Sequence, residues 1–211
     1  MVEDARSARA FLKRVAAVAP LAVPLQAVAM TELPRARKGS REGIEPAQWQ
    51  ALLEPAVSGH DLGLLSEAGL PAVADPGAAV VEAAHAAGLT VVPLAGPSAL
   101  VLALAASGLN GQSFAFVGYL PQEATERAKR MLELESIALR TGQTQLFIET
   151  PYRNEAVLQA LLQHLQPSTR LSVSSGLTLP HAQTRSRLVK AWRQQADGPD
   201  NSTPAVFAIG R

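Results

Sequence analysis

Short apolar runs alternate along the chain with segments in which apolar residues recur every three or four positions. The apolar runs predict strands at 62–65, 90–93, 114–117, 144–148, 171–174 and 205–209. The helical spacing predicts helices at about 4–18, 46–57, 78–87, 99–107, 123–138, 154–165 and 186–195. Strands and helices therefore alternate throughout the chain, which is typical of the α/β class.

Two of the predicted strands run into loops rich in Gly and Pro, and an Ala-rich helix follows each loop. The first loop is Ser66–Gly77 and the second is Gly96–Ser98. Open α/β sheets bind small molecules at the carboxyl ends of neighbouring parallel strands, so these loops are the leading candidates for a binding site. A change of pattern at about 110–122 predicts two domains, 1–112 and 113–211.

The amino-acid composition excludes several kinds of site and segment. There is no Cys, which excludes disulfides, a cysteine nucleophile and thiolate metal sites and fits a cytoplasmic protein. The four histidines lack metal-ligand spacing, so no metal site is predicted. The start of the chain has no apolar run typical of a signal peptide. Gly and Pro divide the uncharged run Ala83–Gln122 into pieces shorter than the roughly 20 residues that a membrane helix needs.

The charge distribution bears on the ligand of the loops. No Lys or Arg occurs from residue 42 to residue 126, and neither phosphate-binding glycine motif is present. The prolines Pro71, Pro76 and Pro97 lack the N–H groups that a phosphate would use, and nearby carboxylates would repel it. S-adenosylmethionine, which carries a sulfonium and an ammonium group, suits such loops better. The alternative is that Gly and Pro only shape the turns.

A series of motifs resembles the tetrapyrrole methylase superfamily, and within it the small-subunit ribosomal RNA ribose 2′-O-methyltransferases. Ser66–Gly77 resembles the family's S-D-A-G-x-P-x-x-x-D-P-G segment, and Glu3–Arg6 is similar to its E-D-T-R helix start. Val91–Ala99 resembles its V-x-P-x-P-G-P-x-A loop. Phe114–Pro121 is similar to F-x-F-x-G-F-L-P, and Glu149–Arg153 to E-x-P-x-R. The matches span about residues 2–184 in the family's order.

The resemblance implies two α/β domains with a cleft between them that binds S-adenosylmethionine, usually in a homodimer. It implies an S-adenosylmethionine-dependent methyltransferase whose acceptor is the ribose 2′-hydroxyl of rRNA. The cofactor contacts carried over by position are Ser66, Glu67, Ala68, Gly69, Asp75, Pro76, Gly77, Pro97, Ser98, Ala99, Phe116, Glu149, Pro151, Leu177 and Thr178. Asp75 and Glu149 are the candidate catalytic residues, with a loop cap and an ion pair to Arg153 as the respective alternatives.

The chain also departs from the family pattern. The strand and Gly-rich loop that open the family have no counterpart before Glu3, and Glu67 and Leu70 stand where the rRNA branch has Asp and Thr. Ser175–Leu179 stands in place of R-E-L-T-K. These departures keep two alternatives open: a small-molecule, tetrapyrrole-like methyltransferase, and a non-catalytic relative that acts as a binding protein. The candidate RNA contacts are the basic loop residues Arg35, Arg37, Lys38 and Arg41.

Overall fold

The computed structural model describes residues 1–34, 44–195, 197–199 and 201–211. The chain forms two compact units, Met1–Pro97 and Ser98–Arg211. The sequence analysis placed the boundary later, between residues 112 and 113. The difference arises from the helix Ala99–Ser107, which packs on the strands of the second unit.

The first unit contains mainly helices. They are α1 (Ala5–Ala16), a short 3₁₀ helix (Leu25–Ala27), α2 (Pro46–Val57) and α3 (Ala78–Ala86). Asp4 caps α1, since its carboxylate accepts hydrogen bonds from the backbone N–H groups of Arg6 at 2.8 Å and Ser7 at 2.9 Å. Pro46 begins α2 at a position where a missing N–H costs nothing. The helical periodicity therefore predicted α1, α2 and α3 to within a turn, but it did not predict the 3₁₀ helix.

The predicted strands of the first unit do not form a ladder. Val2 makes isolated parallel bridges to Glu32 and to Leu65, and the segments 62–64 and 90–93 lie outside any strand of the structure. The prediction of strands at 62–65 and 90–93 is therefore wrong in its extent. An extended segment becomes a strand only when a neighbour completes its hydrogen bonds, and single-sequence patterns do not reveal that neighbour. The apolar side chains still pack, because Leu64 and Val91 contact the buried cluster of α2 and α3.

The second unit carries a five-stranded mixed sheet. Its helices are α4 (Ala99–Ser107), α5 (Ala124–Thr141), a 3₁₀ helix (Pro151–Arg153), α6 (Asn154–His164) and α7 (Val189–Gln194). Its strands are β1 (Phe114–Tyr119), β2 (Thr144–Glu149), β3 (Arg170–Ser175), β4 (Gln183–Leu188) and β5 (Ala205–Gly210). The order is β1-β2-β5-β3-β4; β1 and β2 are parallel, and every other pair is antiparallel. The α/β class is confirmed.

One predicted helix of this unit is partly wrong. The sequence analysis predicted a helix over 186–195. In the structure β4 extends to Leu188, and only Val189–Gln194 (α7) of this segment is helical. All six residues of β4 are half-buried, because β4 is an edge strand that pairs only with β3. Its polar sequence lacks the apolar run that marked the other strands.

The two faces of the sheet differ in their covering. On one face, Phe147 stacks on Phe207 with ring centroids 5.4 Å apart, and the indole N–H of Trp192 donates to the Leu171 carbonyl at 2.9 Å. On the other face, the single helix α4 packs Ala103 and Leu104 onto Leu146, Val206 and Ala208. Burial of each large apolar side chain contributes about 1.5–3 kcal/mol, so the Phe147–Trp192 face carries most of the stabilisation.

The uncharged run Ala83–Gln122 is divided as the sequence analysis expected. It contributes the end of α3, the nine residues of α4 and the strand β1. Among the helices of the described residues, none has both the length and the hydropathy needed to cross a bilayer.

Candidate functional site

The loop Ser66–Gly77 of the first unit folds back on itself through four residues with positive φ. Two are glycines, Gly69 at φ +79° and Gly77 at φ +135°, but two are alanines, Ala72 at φ +65° and Ala74 at φ +63°. Left-handed backbone costs an L-residue about 1–2 kcal/mol, so the surrounding contacts must hold this conformation. The alanines carried no sequence signal, because nothing in their chemistry favours positive φ.

Gly77 is required by space as well as by conformation. A Cβ atom at this position would lie 2.8 Å from Cδ2 of Leu64 and 3.3 Å from the backbone nitrogen of Ala72. The backbone N–H of Ala72 donates to the carbonyl of Pro76 at 3.3 Å, which closes the loop. The tip of the loop approaches the second Gly/Pro segment of the same unit, since a Cβ at Gly69 would lie 3.9 Å from the carbonyl oxygen of Pro97.

Ser66 and Asp75 face each other inside this loop. The Ser66 hydroxyl lies 3.3 Å from the carbonyl oxygen of Ala68 and 3.5 Å from that of Gly69. Burial is the main reason that the pKa of Asp75 is raised, the charge of Glu3 adds to it, and the bond from Ser66 opposes it. A single hydroxyl proton cannot fully satisfy both carbonyl oxygens, so acceptor oxygens outnumber hydroxyl donors around Ser66.

Glu67 has structural partners. Its carboxylate accepts a hydrogen bond from the Ser7 hydroxyl, and its backbone N–H donates to the Glu3 carboxylate at 3.0 Å. The Glu32 carboxylate accepts from the backbone N–H of Ala5 at 2.9 Å. These bonds tie the start of α1 to the loop and to the segment around Glu32. Sequence reasoning missed the contributions of Ser7 and Glu32, which no motif marked.

In the second unit, Phe116 and Leu177 pack against the same apolar cluster, beneath α4. Ser98 stands at the N-cap position of α4 without a side-chain capping bond. Thr178 has φ +72° in the loop between β3 and β4. Among the described residues, the non-glycine residues with positive φ are therefore Ala72 and Ala74 in the loop Ser66–Gly77 and Thr178, a predicted cofactor contact.

Glu149 lies at the carboxyl end of β2 with its side chain buried. Its Oε2 is 3.3 Å from Nε of Arg153, so the structure contains the ion pair that the sequence analysis gave as the alternative to a catalytic role for Glu149. Burial raises the pKa of Glu149, and the Arg153 charge partly offsets that rise. Pro151 opens the 3₁₀ helix between the two residues.

The structure thus groups the predicted site residues within each unit. The first unit brings together Ser66, Glu67, Ala68, Gly69, Asp75, Pro76, Gly77 and Pro97. The second unit holds Ser98, Ala99, Phe116, Glu149, Pro151, Leu177 and Thr178, of which Phe116 and Leu177 share a cluster. Their roles toward a ligand remain predictions. Arg35, Arg37, Lys38 and Arg41 lie outside the described residues, and the part that is described holds no group of three potential metal ligands.

The fold and the loops define an α/β protein with Gly- and Pro-shaped turns of unusual backbone conformation. Residues 5–191 match the family of Tetrapyrrole (Corrin/Porphyrin) Methylases. Because this match covers most of the chain, the chain belongs to that family, as the motif series predicted.

The chain is also similar to curated proteins named as ribosomal RNA small subunit methyltransferases. The chain is 37% identical over 134 residues to Ribosomal RNA small subunit methyltransferase I of Vibrio cholerae. This alignment covers 64% of this chain and 45% of that protein. The protein of the same name from Bacillus subtilis is 40% identical over 114 residues, covering 54% and 38%. The chain thus matches less than half the length of these curated relatives.

Solved structures of methyltransferases are also similar. The methyltransferase CobJ aligns over 84% of this chain and 78% of its own, with 21% identity and a TM-score of 0.49. Uroporphyrin-III-C-methyltransferase from Thermus thermophilus aligns over 78% and 70%, with 21% identity and a TM-score of 0.45.

Proposed function

We propose that the chain acts as an S-adenosylmethionine-dependent methyltransferase on the ribose 2′-hydroxyl of small-subunit rRNA. The observation that carries this proposal is the family match over residues 5–191, which includes the folded loop Ser66–Gly77. The curated relatives named as ribosomal RNA small subunit methyltransferases support small-subunit rRNA as the substrate, and the motif resemblance supports the ribose 2′-hydroxyl.

The residues of the loop fit a cationic ligand. Ser66, Asp75 and the carbonyls of Ala68 and Gly69 offer acceptors, whereas Pro76 contributes no N–H. No Lys or Arg occurs between residues 42 and 126. An acceptor-rich loop without cations favours the sulfonium and ammonium groups of S-adenosylmethionine over a phosphate.

When bound, S-adenosylmethionine supplies a methyl group on a sulfonium, which is activated for in-line displacement. The chain has to orient the ligand and keep water away, and orientation alone can supply several kcal/mol of the barrier reduction. A loop that already holds two alanines at positive φ is pre-organised for this task. We assign Ser66 and Asp75 to ligand binding, because both present oxygen acceptors inside the loop.

Calorimetry of the full chain with S-adenosylhomocysteine tests the cofactor. We expect saturable binding, and we expect Ser66→Ala and Asp75→Asn each to weaken it by about tenfold, the size of one lost hydrogen bond to a charged group. Glu82→Gln, an exposed change on α3 of the same unit, is the matched control and leaves affinity unchanged. ATP tests the phosphate alternative. Absence of binding by the unmodified chain would overturn the proposal.

Transfer of a labelled methyl group to isolated small ribosomal subunits tests the acceptor. We expect label in the rRNA as an alkali-resistant dinucleotide, the signature of a methylated 2′-hydroxyl. Label on a tetrapyrrole instead would establish a small-molecule enzyme. Cofactor binding without transfer to either acceptor would support the non-catalytic binding protein.

A further inference from the structure

Both tyrosines of the chain lie at the same edge of the sheet. Tyr119 ends β1 with 57% of its surface exposed, and Tyr152 follows β2 with 73% exposed. Because β1 and β2 are parallel neighbours, both strands deliver these residues at their carboxyl ends. Open α/β sheets bind ligands at that edge, so the position of the two rings matters.

The regular hydrogen bonding between β1 and β2 is interrupted before it reaches the end of β1. The pairing with β2 is in register from Phe114 to Phe116, then shifts before Tyr119 pairs with Ile148. Gly118, at φ +76°, lies in this irregularity. A bulge of this kind re-aims the strand and leaves its last residues dependent on other contacts.

Arg153 supplies those contacts. Its Nε lies 3.3 Å from Oε2 of Glu149, at the end of β2. Its Nη2 donates to the carbonyls of Leu120 at 3.3 Å and Pro121 at 3.1 Å, directly after β1. One planar guanidinium therefore connects the ends of both strands.

The connection is buried on both sides. The Glu149 side chain is fully buried and that of Arg153 is 15% exposed, so solvent screens their attraction weakly. A second cation supports the same segment, since Nη1 of Arg127 donates to the carbonyl of Gln122 at 2.7 Å. Isolated surface ion pairs contribute little, whereas a buried pair with additional hydrogen bonds fixes geometry.

We propose that Arg153, held by Glu149, is a positioning residue that fixes the backbone at the ends of β1 and β2, from which the exposed Tyr119 and Tyr152 face the methyl acceptor. The proposal rests on the methyltransferase function for the nature of the ligand, but the positioning itself is a property of the free protein. Glu149 accordingly acts through Arg153 and makes no contact with the reacting atoms. Arg153 does not serve as a free cation for an anionic substrate.

Fluorine NMR tests this positioning. The chain has two tyrosines, so labelling with 3-fluorotyrosine gives one resonance for Tyr119 and one for Tyr152. Tyr119→Phe assigns them. We expect two sharp, dispersed lines in the parent. Arg153→Lys keeps the positive charge. The single side-chain nitrogen of lysine cannot reach the Glu149 carboxylate and both carbonyl oxygens at once. We therefore expect both fluorine resonances to broaden or to shift toward that of free fluorotyrosine. Glu149→Gln should do the same.

Amide exchange gives a second readout at the same loops. Loss of the charged hydrogen bonds should accelerate exchange at Leu120 and Gln122 by about 10- to 100-fold, with the sheet unchanged. Arg130→Ala is the matched control, because its pair with Glu133 at 3.2 Å is exposed on α5. Circular dichroism well below the melting temperature verifies that each variant is folded.

Failure of the positioning role and failure of the proposed function would give different experimental results. Unchanged fluorine lines and exchange in folded Arg153→Lys would overturn the positioning role, as would equal changes in Arg130→Ala. Failure of the unmodified chain to bind S-adenosylhomocysteine would overturn the proposed function instead, while the fluorine spectra would still decide the positioning.

Discussion

The two units use the same local pattern, a short apolar segment followed by a Gly- or Pro-containing turn and a helix, with different results. In the second unit, Thr144–Glu149 becomes β2, paired on both sides by β1 and β5. In the first unit, the segment around Leu65 makes one isolated bridge to Val2. The difference teaches that strand formation depends on available neighbours, whereas loop and helix positions follow local sequence.

The units are also held together differently. The second has a core of fully buried large side chains, including Phe147, Trp192 and Phe207. The first has the smaller buried cluster of Leu53, Val80 and Ala84 and relies on hydrogen bonds around its strained loop. Three sets of substitutions test this contrast, in order of decreasing expected effect.

The largest effect should come from core truncation. Phe207→Ala should lower the free energy of unfolding of the second unit by about 3–5 kcal/mol, because Phe207 is fully buried. Leu53→Ala in the first unit should cost about 2 kcal/mol, because half-buried neighbours such as Trp49 can relax into the space. Urea denaturation measures both.

The two tryptophans make the measurement specific to each unit. Trp192 reports on the second unit in a Trp49→Phe background, and Trp49 reports on the first in a Trp192→Phe background. Val57→Ala, at an exposed position, is the control and should change stability by less than about 0.5 kcal/mol. Equal losses for both truncations would contradict the contrast between the cores.

A smaller effect of reversed sign should mark the strained loop. Ala72→Gly and Ala74→Gly should each stabilise the first unit by about 0.5–1 kcal/mol, because relief of positive φ exceeds the entropy that glycine adds to the unfolded chain. Ala10→Gly, at an exposed position within α1, should instead destabilise by about 1 kcal/mol. Destabilisation by all three changes would show that the loop is unstrained.

The smallest effect should be the pH dependence of Asp75. Its pKa is raised in the folded protein, so its stabilising contribution is complete at pH values below the ordinary 3.8 and is lost as pH rises through the folded pKa. Asp75→Asn should therefore raise the urea midpoint at pH 7, and its advantage should shrink toward pH 4. Glu82→Gln should show no such trend. An advantage that grows on acidification would refute the assignment.

Much of the fold could be predicted from sequence. The β-branched and aromatic run at 144–148 and the apolar run at 205–209 became β2 and β5 almost to the residue. The motif series identified the family, which the match over residues 5–191 confirmed. These features are local or ordered along the chain, so a single sequence displays them.

The remainder depends on contacts that sequence spacing does not encode. Gln183–Leu188 has no apolar run, so its pairing with β3 could not be anticipated. The positive φ of Ala72 arises from the closure of its loop. The ion pair of Glu149 with Arg153 was one of two alternatives in the sequence analysis, but the hydrogen bond of Arg153 to the carbonyl of Pro121 could not be anticipated.

The position of β5 has a consequence for biosynthesis. This strand is encoded after the other four, yet it lies at the centre of the sheet, between β2 and β3. On the ribosome, the nascent chain can form only the pairs β1–β2 and β3–β4 until residue 210 has left the exit tunnel. The complete sheet therefore forms only after β5 has emerged, and truncation before Ala205 would leave the pairs β1–β2 and β3–β4 separate, with exposed apolar edges.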